Sequence, residues 1–219
     1  MNAPTPGFDV PRLPEQEPLA PGALFPRAPT RCELEVGFGR GGFLLERAAV
    51  ASEVALVGFE WRRKLVARVC DRVRRAGLGE RVSVYCEDAR LILARFAEAS
   101  FDAAYLHFPD PWWKARHHKR RLATSTMLLA LSRILKPGGE LFIQSDVQSQ
   151  VDAYERLALA VQTLEAHGEQ GARLGDNPYG ARSPRERRAM ADGLPIYRLR
   201  FRKRTGETSS VAATPERTS

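Results

Sequence analysis

The stretch Cys32-Glu33-Leu34-Glu35-Val36-Gly37-Phe38-Gly39-Arg40-Gly41-Gly42 passes from a short half-apolar run into a cluster of glycines. Gly37, Gly39 and Gly42 follow the run at GxGxxG spacing, which reads as a strand turning tightly into a helix. Missing Cβ atoms let a ligand approach the backbone where that helix begins. The spacing alone suits any nucleotide-like molecule, and a turn kept only for close packing has the same glycines. Outward from this turn, short apolar segments alternate with longer ones of helical period. Strands are predicted at 32–36, 54–60, 82–86, 101–107 and 140–145, and helices over 42–51, 62–76, 90–96, 124–135 and 150–166. In the last, Val151, Tyr154, Leu157, Ala158, Val161 and Leu164 fall on one helical face. Lys136-Pro137-Gly138-Gly139 is a backbone stop signal before a strand, and a late strand near 196–201 closes the set. The pattern predicts an α/β fold, a doubly wound and mostly parallel sheet of seven strands.

With 219 residues, the chain has room for one domain with appendages. Eight of the fifteen prolines lie between Pro4 and Pro29, so residues 1–29 are expected to form a disordered tail. Residues 205–219 are polar and small, a second expected tail, which leaves a folded body at 30–204. No internal repeat is visible. Lys and Arg number 34 against 26 Asp and Glu, a net charge of +8 that calls for a polyanionic partner, nucleic acid first. Cys32, Cys70 and Cys86 are odd in number and have no CxxC spacing, so a disulfide framework or zinc site is not expected and a cytoplasmic location is. No apolar run reaches the length of a bilayer span, and the proline-punctuated start has no apolar secretory segment.

Glu35 stands at the strand end, two residues before the first glycine, where it would repel a pyrophosphate. S-adenosylmethionine has no phosphate and carries a sulfonium and an amino group, so a nearby anion favours it over a dinucleotide. Glu60 ends the second strand, the place where such folds set a carboxylate against ribose hydroxyls. Asp88 follows the third strand and can accept from an adenine amino group. Each of these has a bland reading as a solvated strand-end acid; three at successive strand ends agree better than any one.

After the fourth strand comes HFPDPWWKARHHKRR, from His107 to Arg121. Asp110 sits between prolines that fix its backbone, and Trp112 and Trp113 can stack on a base. Lys114 to Arg121 holds five Lys or Arg and no acid, suited to phosphate contacts. His117 and His118 have no accompanying ligand pattern and read as phosphate or solvent contacts, so no metal is expected. Asp146 follows the fifth strand and serves either a substrate or a helix cap. The window 182–204 holds nine Lys or Arg against Glu186 and Asp192. The basic segment 62–75 has an ordinary packing face of Leu65, Val66, Val69 and Val73 and receives no functional assignment.

From about residue 31 to 204 the sequence resembles the bacterial tRNA (guanine-N7-)-methyltransferase family. FPDPWWKARHHKRR resembles the family signature FPDPW-x-K-x-RH-x-KRR, and ELEVGFGRG, VGFEWRRK, EDARLIL and LKPGGELFIQSD resemble its other motifs in order. The resemblance implies a class I S-adenosylmethionine-dependent methyltransferase of Rossmann-like fold, with tRNA as partner, acting as a monomer or homodimer. It implies that Glu35, Gly37, Gly39, Glu60, Asp88 and Asp110 bind S-adenosylmethionine, Asp110 being also the catalytic position. Lys114 and Asp146 would bind the guanine-bearing substrate, and Arg116, His117, His118, Lys119, Arg120 and Arg121 would touch RNA. The family's late Thr-x-x-Glu substrate motif stands here as Ser183-Pro184-Arg185-Glu186; serine keeps the hydroxyl and loses a methyl group.

Guanine N7 has an in-plane lone pair and no proton to lose, so the implied reaction needs alignment and charge stabilisation rather than a strong base. Two rivals remain at this stage. Methylation of an exocyclic adenine amine is suggested by Asp110-Pro111-Trp112, although the second proline of that motif is missing. A noncatalytic RNA-binding module on the same fold is the other.

Overall fold

The computed structural model describes residues 10–109 and 124–205. The strands are β1 (Arg31–Val36), β2 (Val54–Phe59), β3 (Val82–Tyr85), β4 (Phe101–His107), β5 (Leu135–Ser145), β6 (Leu164–Ala166), β7 (Arg173–Leu174) and β8 (Tyr197–Lys203). Between them lie helices α1 (Gly42–Val50), α2 (Arg63–Arg75), α3 (Ala89–Ile92), α4 (Ser125–Ile134), α5 (Gln148–Leu159) and α6 (Pro184–Ala191). They form one sheet in the order β3-β2-β1-β4-β5-β8-β6, with β7 also pairing to β8. The first five strands along that path are parallel, and β8 runs antiparallel to β5. The sheet is doubly wound and mostly parallel as expected, with eight strands in place of seven; β6 falls where a helix was expected, and β7 has only two residues.

Strand order reverses between β1 and β4, so the crevice beyond their carboxyl ends is the natural ligand position. On one face, Leu34, Val36, Ala104, Leu106, Leu141, Ile143, Leu199 and Phe201 pack beneath α3, α4 and α5. On the other, α1 and α2 cover β2 and β3 through Leu44, Ala48, Val66, Val69 and Val73. No helix among the described residues is long and apolar enough to cross a membrane.

Three expectations need correction. Residues 10–29, expected as part of a disordered tail, lie against the body: Leu19 is fully buried, and Val10, Leu13 and Phe25 are also buried. The Leu19 N–H donates to the Arg95 carbonyl at 2.7 Å and its own carbonyl accepts from Ala97 N–H at 3.1 Å. Composition misleads here because nearly every large apolar residue of a sparse set is used, Val10 in the cluster under α1 and α2 and Leu13, Leu19 and Phe25 in the other.

The helix expected over 150–166 ends at Leu159. Val161 and Leu164 still reach the core, but Leu164 does so from β6, paired to Lys203 of β8. An unpaired strand edge outcompetes the last turns of a periodic helix, a choice made by a partner some forty residues away. Lys136-Pro137-Gly138-Gly139 does stop α4, but within β5 rather than before it. Pairing runs Phe101 to Leu135 and then shifts to Ala103 with Glu140. A Cβ on Gly139 would meet the Lys136 carbonyl oxygen at 2.8 Å, which explains the glycine in this bulge.

Candidate active site

Gly37 and Gly39 adopt left-handed φ values of 76° and 56° after β1, so the turn depends on glycine as its spacing suggested. Gly42 has a different reason. A Cβ there would lie 2.6 Å from the Pro184 ring, so the third glycine of the GxGxxG spacing exists to seat α6 on the start of α1. The packing reading of that turn therefore holds for Gly42.

Beside the turn lies a cavity of about 330 Å³ whose wall includes Gly37, Glu60, Trp61, Asp88, His107 and Pro109. Its size suits a small-molecule site. Three residues expected to hold the cofactor meet here, at the ends of β1, β2 and β3. Glu60 is 2% exposed, and its carboxylate accepts from Gly39 N–H at 3.1 Å, Arg62 N–H at 3.0 Å and the Arg62 guanidinium at 2.9 and 3.0 Å. With four donors on it, a ribose diol reaches Glu60 only in exchange for the half-exposed Arg62 fork. Asp88 caps α3 by accepting Arg90 N–H at 3.0 Å and also holds the Arg90 guanidinium. The hydrogen bonds from Arg90 keep its carboxyl below the usual range.

Glu35 stands one layer back. It is 1% exposed, absent from the cavity wall, and accepts a 2.8 Å contact from His107 Nδ1. His107, the first residue of HFPDPWWKARHHKRR, has no motif of its own to mark it in the sequence. Phe108, next to it, has φ 46°, an outlier for a bulky residue and a sign of strain at this edge. Its N–H donates to the Gln144 carbonyl at 2.8 Å. Trp61, 66% exposed on the cavity rim, is also new. An aromatic directly after the strand-end acid in VGFEWRRK was the available signal.

The expected substrate residues gather around α6. Ser183 caps it, its Oγ accepting Glu186 N–H at 3.2 Å. Glu186 is fully buried and accepts from Gln144 at 3.1 Å, Asn177 at 3.0 Å and Arg198 at 3.0 Å. In this structure both serve the scaffold. Asp146 is paired with Arg185 of the same helix. Glu46 of α1 accepts from Arg182 N–H at 2.9 Å and pairs with Arg187, a second tie between α6 with its lead-in and α1. Asp110, Lys114, Arg116, His117, His118, Lys119, Arg120 and Arg121 lie outside the described residues. Among the described residues no cluster of His, Cys, Asp and Glu has a metal-binding arrangement.

A family model described as a putative methyltransferase matches residues 29–199. A tRNA (guanine-N(7)-)-methyltransferase of Paracoccus denitrificans is 37% identical over 201 residues, 91% of this chain and 83% of that protein. Its counterpart from Anaeromyxobacter dehalogenans is 43% identical over 188 residues, 83% of this chain and 90% of that one. Among solved structures, the 16S rRNA methyltransferase KamB aligns with a TM-score of 0.59 at 12% identity, covering 80% of this chain and 89% of its own. The aminoglycoside resistance methyltransferase NpmB1 aligns at 0.52 and 19%, covering 80% and 88%. The distant structures speak to the fold alone. The sequence relatives extend across most of both chains, and on that ground the chain belongs to the tRNA (guanine-N(7)-)-methyltransferase family.

Proposed function

We propose that this protein methylates N7 of a guanine in tRNA, at position 46 in the variable loop, with S-adenosylmethionine as donor. The observation that carries this reading is the meeting of Gly37, Glu60, Asp88 and His107 in one cavity at the sheet's reversal point, with α6 docked on the adjoining turn. The residues fit a cationic donor with an amino-acid end. The glycine backbone is open to close approach, acids dominate the strand ends, and a buried Glu35 oxygen, Oε2, has no partner.

Glu60 and Asp88 hold the nucleoside end, Glu35 the methionyl end, and Gly37 and Gly39 admit both by lacking side chains. Trp61 supplies an apolar face beside the nucleoside. When bound, S-adenosylmethionine supplies an electrophilic methyl group that a guanine N7 lone pair takes without losing a proton. The chain's task is then to align and to balance charge as the base becomes cationic. Asp110 has this role, directly after the Pro109 wall, with Asp146 and Lys114 orienting the base and Ser183 and Glu186 fixing the helix α6 beside them. Arg116 to Arg121 grip phosphates, so affinity falls steeply with salt. The protein works in the cytoplasm, as a monomer or homodimer.

Purified protein incubated with tRNA and methyl-labelled donor should place label where 7-methylguanine-specific cleavage cuts, in the variable loop. Label on an exocyclic amine, or none, defeats the proposal. Asp110→Ala should keep RNA binding and lose most turnover.

A further inference from the structure

Glu35 and His107 form a buried pair across adjoining strands, their side chains 2% and 3% exposed. His107 Nδ1 lies 2.8 Å from Glu35 Oε1, while Glu35 Oε2 and His107 Nε2 are both buried with no hydrogen-bond partner. Between an ionised carboxylate and an imidazole, only the Nδ1 proton can make this bond, so the ring donates towards Glu35. The ring is not free to turn. Phe43 lies 4.2 Å away between centroids, Tyr105 stacks at 5.8 Å and Phe142 meets it edge-on at 5.9 Å. Backbone strain at Phe108 adds to the sense that this geometry is held by its surroundings.

The two side chains divide the site unequally. His107 is part of the cavity wall and Glu35 is not. A carboxylate with one oxygen fixed has its plane fixed, and its second oxygen then has a defined direction. Left unpaired and dry, that oxygen is costly to keep, and a ligand bearing N–H donors relieves the cost. Glu60 and Asp88 occupy the far strand ends, β2 and β3, whereas Glu35 and His107 sit at the β1–β4 reversal. The donor group that belongs beside them is at the opposite end of the ligand from its nucleoside.

We propose that His107 is the positioning residue for Glu35: its Nδ1–H holds Oε1 and aims Oε2 at the α-ammonium group of the bound methyl donor. This rests on the cofactor reading above, and it deepens that reading by naming the group that orients the acid. His107 acts through Glu35; its part in the reaction is to set how the donor's methionyl end is held, and hence where the methyl group points.

The test is calorimetric binding of two methyl-free ligands. S-adenosylhomocysteine has the amino-acid end, and 5′-methylthioadenosine lacks it. His107→Phe should weaken S-adenosylhomocysteine binding by about tenfold or more, the scale of one charge-assisted hydrogen bond, and leave 5′-methylthioadenosine within about twofold. Glu35→Gln should give the same selective loss. His107→Asn, whose Nδ2 falls near the Nδ1 position, should recover most of the affinity, and His107→Gln, which reaches the Nε2 position instead, should not. Equal loss of both ligands in His107→Phe, or equal behaviour of the Asn and Gln variants, overturns the positioning role. A selective loss in Glu35→Gln with none in His107→Phe also overturns it while leaving the Glu35 assignment intact. Wild-type protein that binds neither ligand would instead sink the cofactor reading itself.

Discussion

The two faces of the sheet are built on different principles. Beneath α3, α4 and α5, strands β1, β4, β5 and β8 present Leu34, Leu106, Ile143 and Phe201, all fully buried. On the reverse of the same strands stand Glu33, Glu35, Tyr105, His107, Gln144 and Arg198, equally dry. Glu33 holds Arg47 at 2.9 Å and accepts from Tyr105 Oη at 2.8 Å, and Glu186 gathers Gln144, Asn177 and Arg198. Apolar packing is non-directional and tolerates small shifts. A buried polar network is stable only with its partners in place, so it fixes positions and directions. The cavity edge draws on both: Val36, Phe59 and Ala89 of its wall belong to the apolar cluster, and His107 belongs to the polar face.

If that division is right, mutations on the two faces should separate stability from site geometry. The largest effect is expected for Glu186→Ala, which strands Arg198 without its buried partner and should cost about 4 kcal/mol. Urea melts would measure it, and methyl transfer to tRNA should fall beyond what the unfolded fraction explains. Leu34→Ala leaves a cavity on the apolar face and should cost about 3 kcal/mol. Affinity of the remaining folded protein for S-adenosylhomocysteine should change less than about twofold; a large change would mean the apolar face also sets the site.

Glu33→Gln should cost about 2 kcal/mol near neutral pH, with a definite pH signature. Burial pushes the Glu33 carboxyl up, but hydrogen bonds from Arg47, Tyr105 and Arg31 outweigh it and hold it below its ordinary 4.5. A depressed folded value means the contribution is complete above about pH 4.5 and is lost as pH falls through that lower value. The melting-temperature gap between wild type and Glu33→Gln should therefore close on acidification; a gap that widens would contradict the assignment. The smallest effect is at the cavity. Arg62→Ala frees lone pairs on Glu60 and should tighten S-adenosylhomocysteine binding by about threefold, under 1 kcal/mol.

Much of this was legible in the chain itself. The half-apolar run at 32–36 marked a strand with Glu35 at its end, and the glycines after it marked the turn. The same logic failed over 150–166, where helical period continued past Leu159 but an open edge of β8 claimed Leu164. At Gly42 the spacing left ligand approach and close packing both open, and Pro184, far along the chain, decided for packing. His107 and Trp61 escaped notice because a single histidine or tryptophan has no periodicity, and its meaning depends on what lies across from it.

Local pattern determined strands β1 to β5 and β8, the glycine turn, the acids at strand ends and the family, because these depend on backbone sterics and near neighbours in sequence. Only the folded chain decided that Glu35 pairs with His107 behind the cavity wall, that Glu60 is already held by Arg62, and that Val10, Leu13, Leu19 and Phe25 of residues 10–29 join the core. Those outcomes depend on distances between distant segments, which burial and hydrogen-bond satisfaction select and no window of sequence contains.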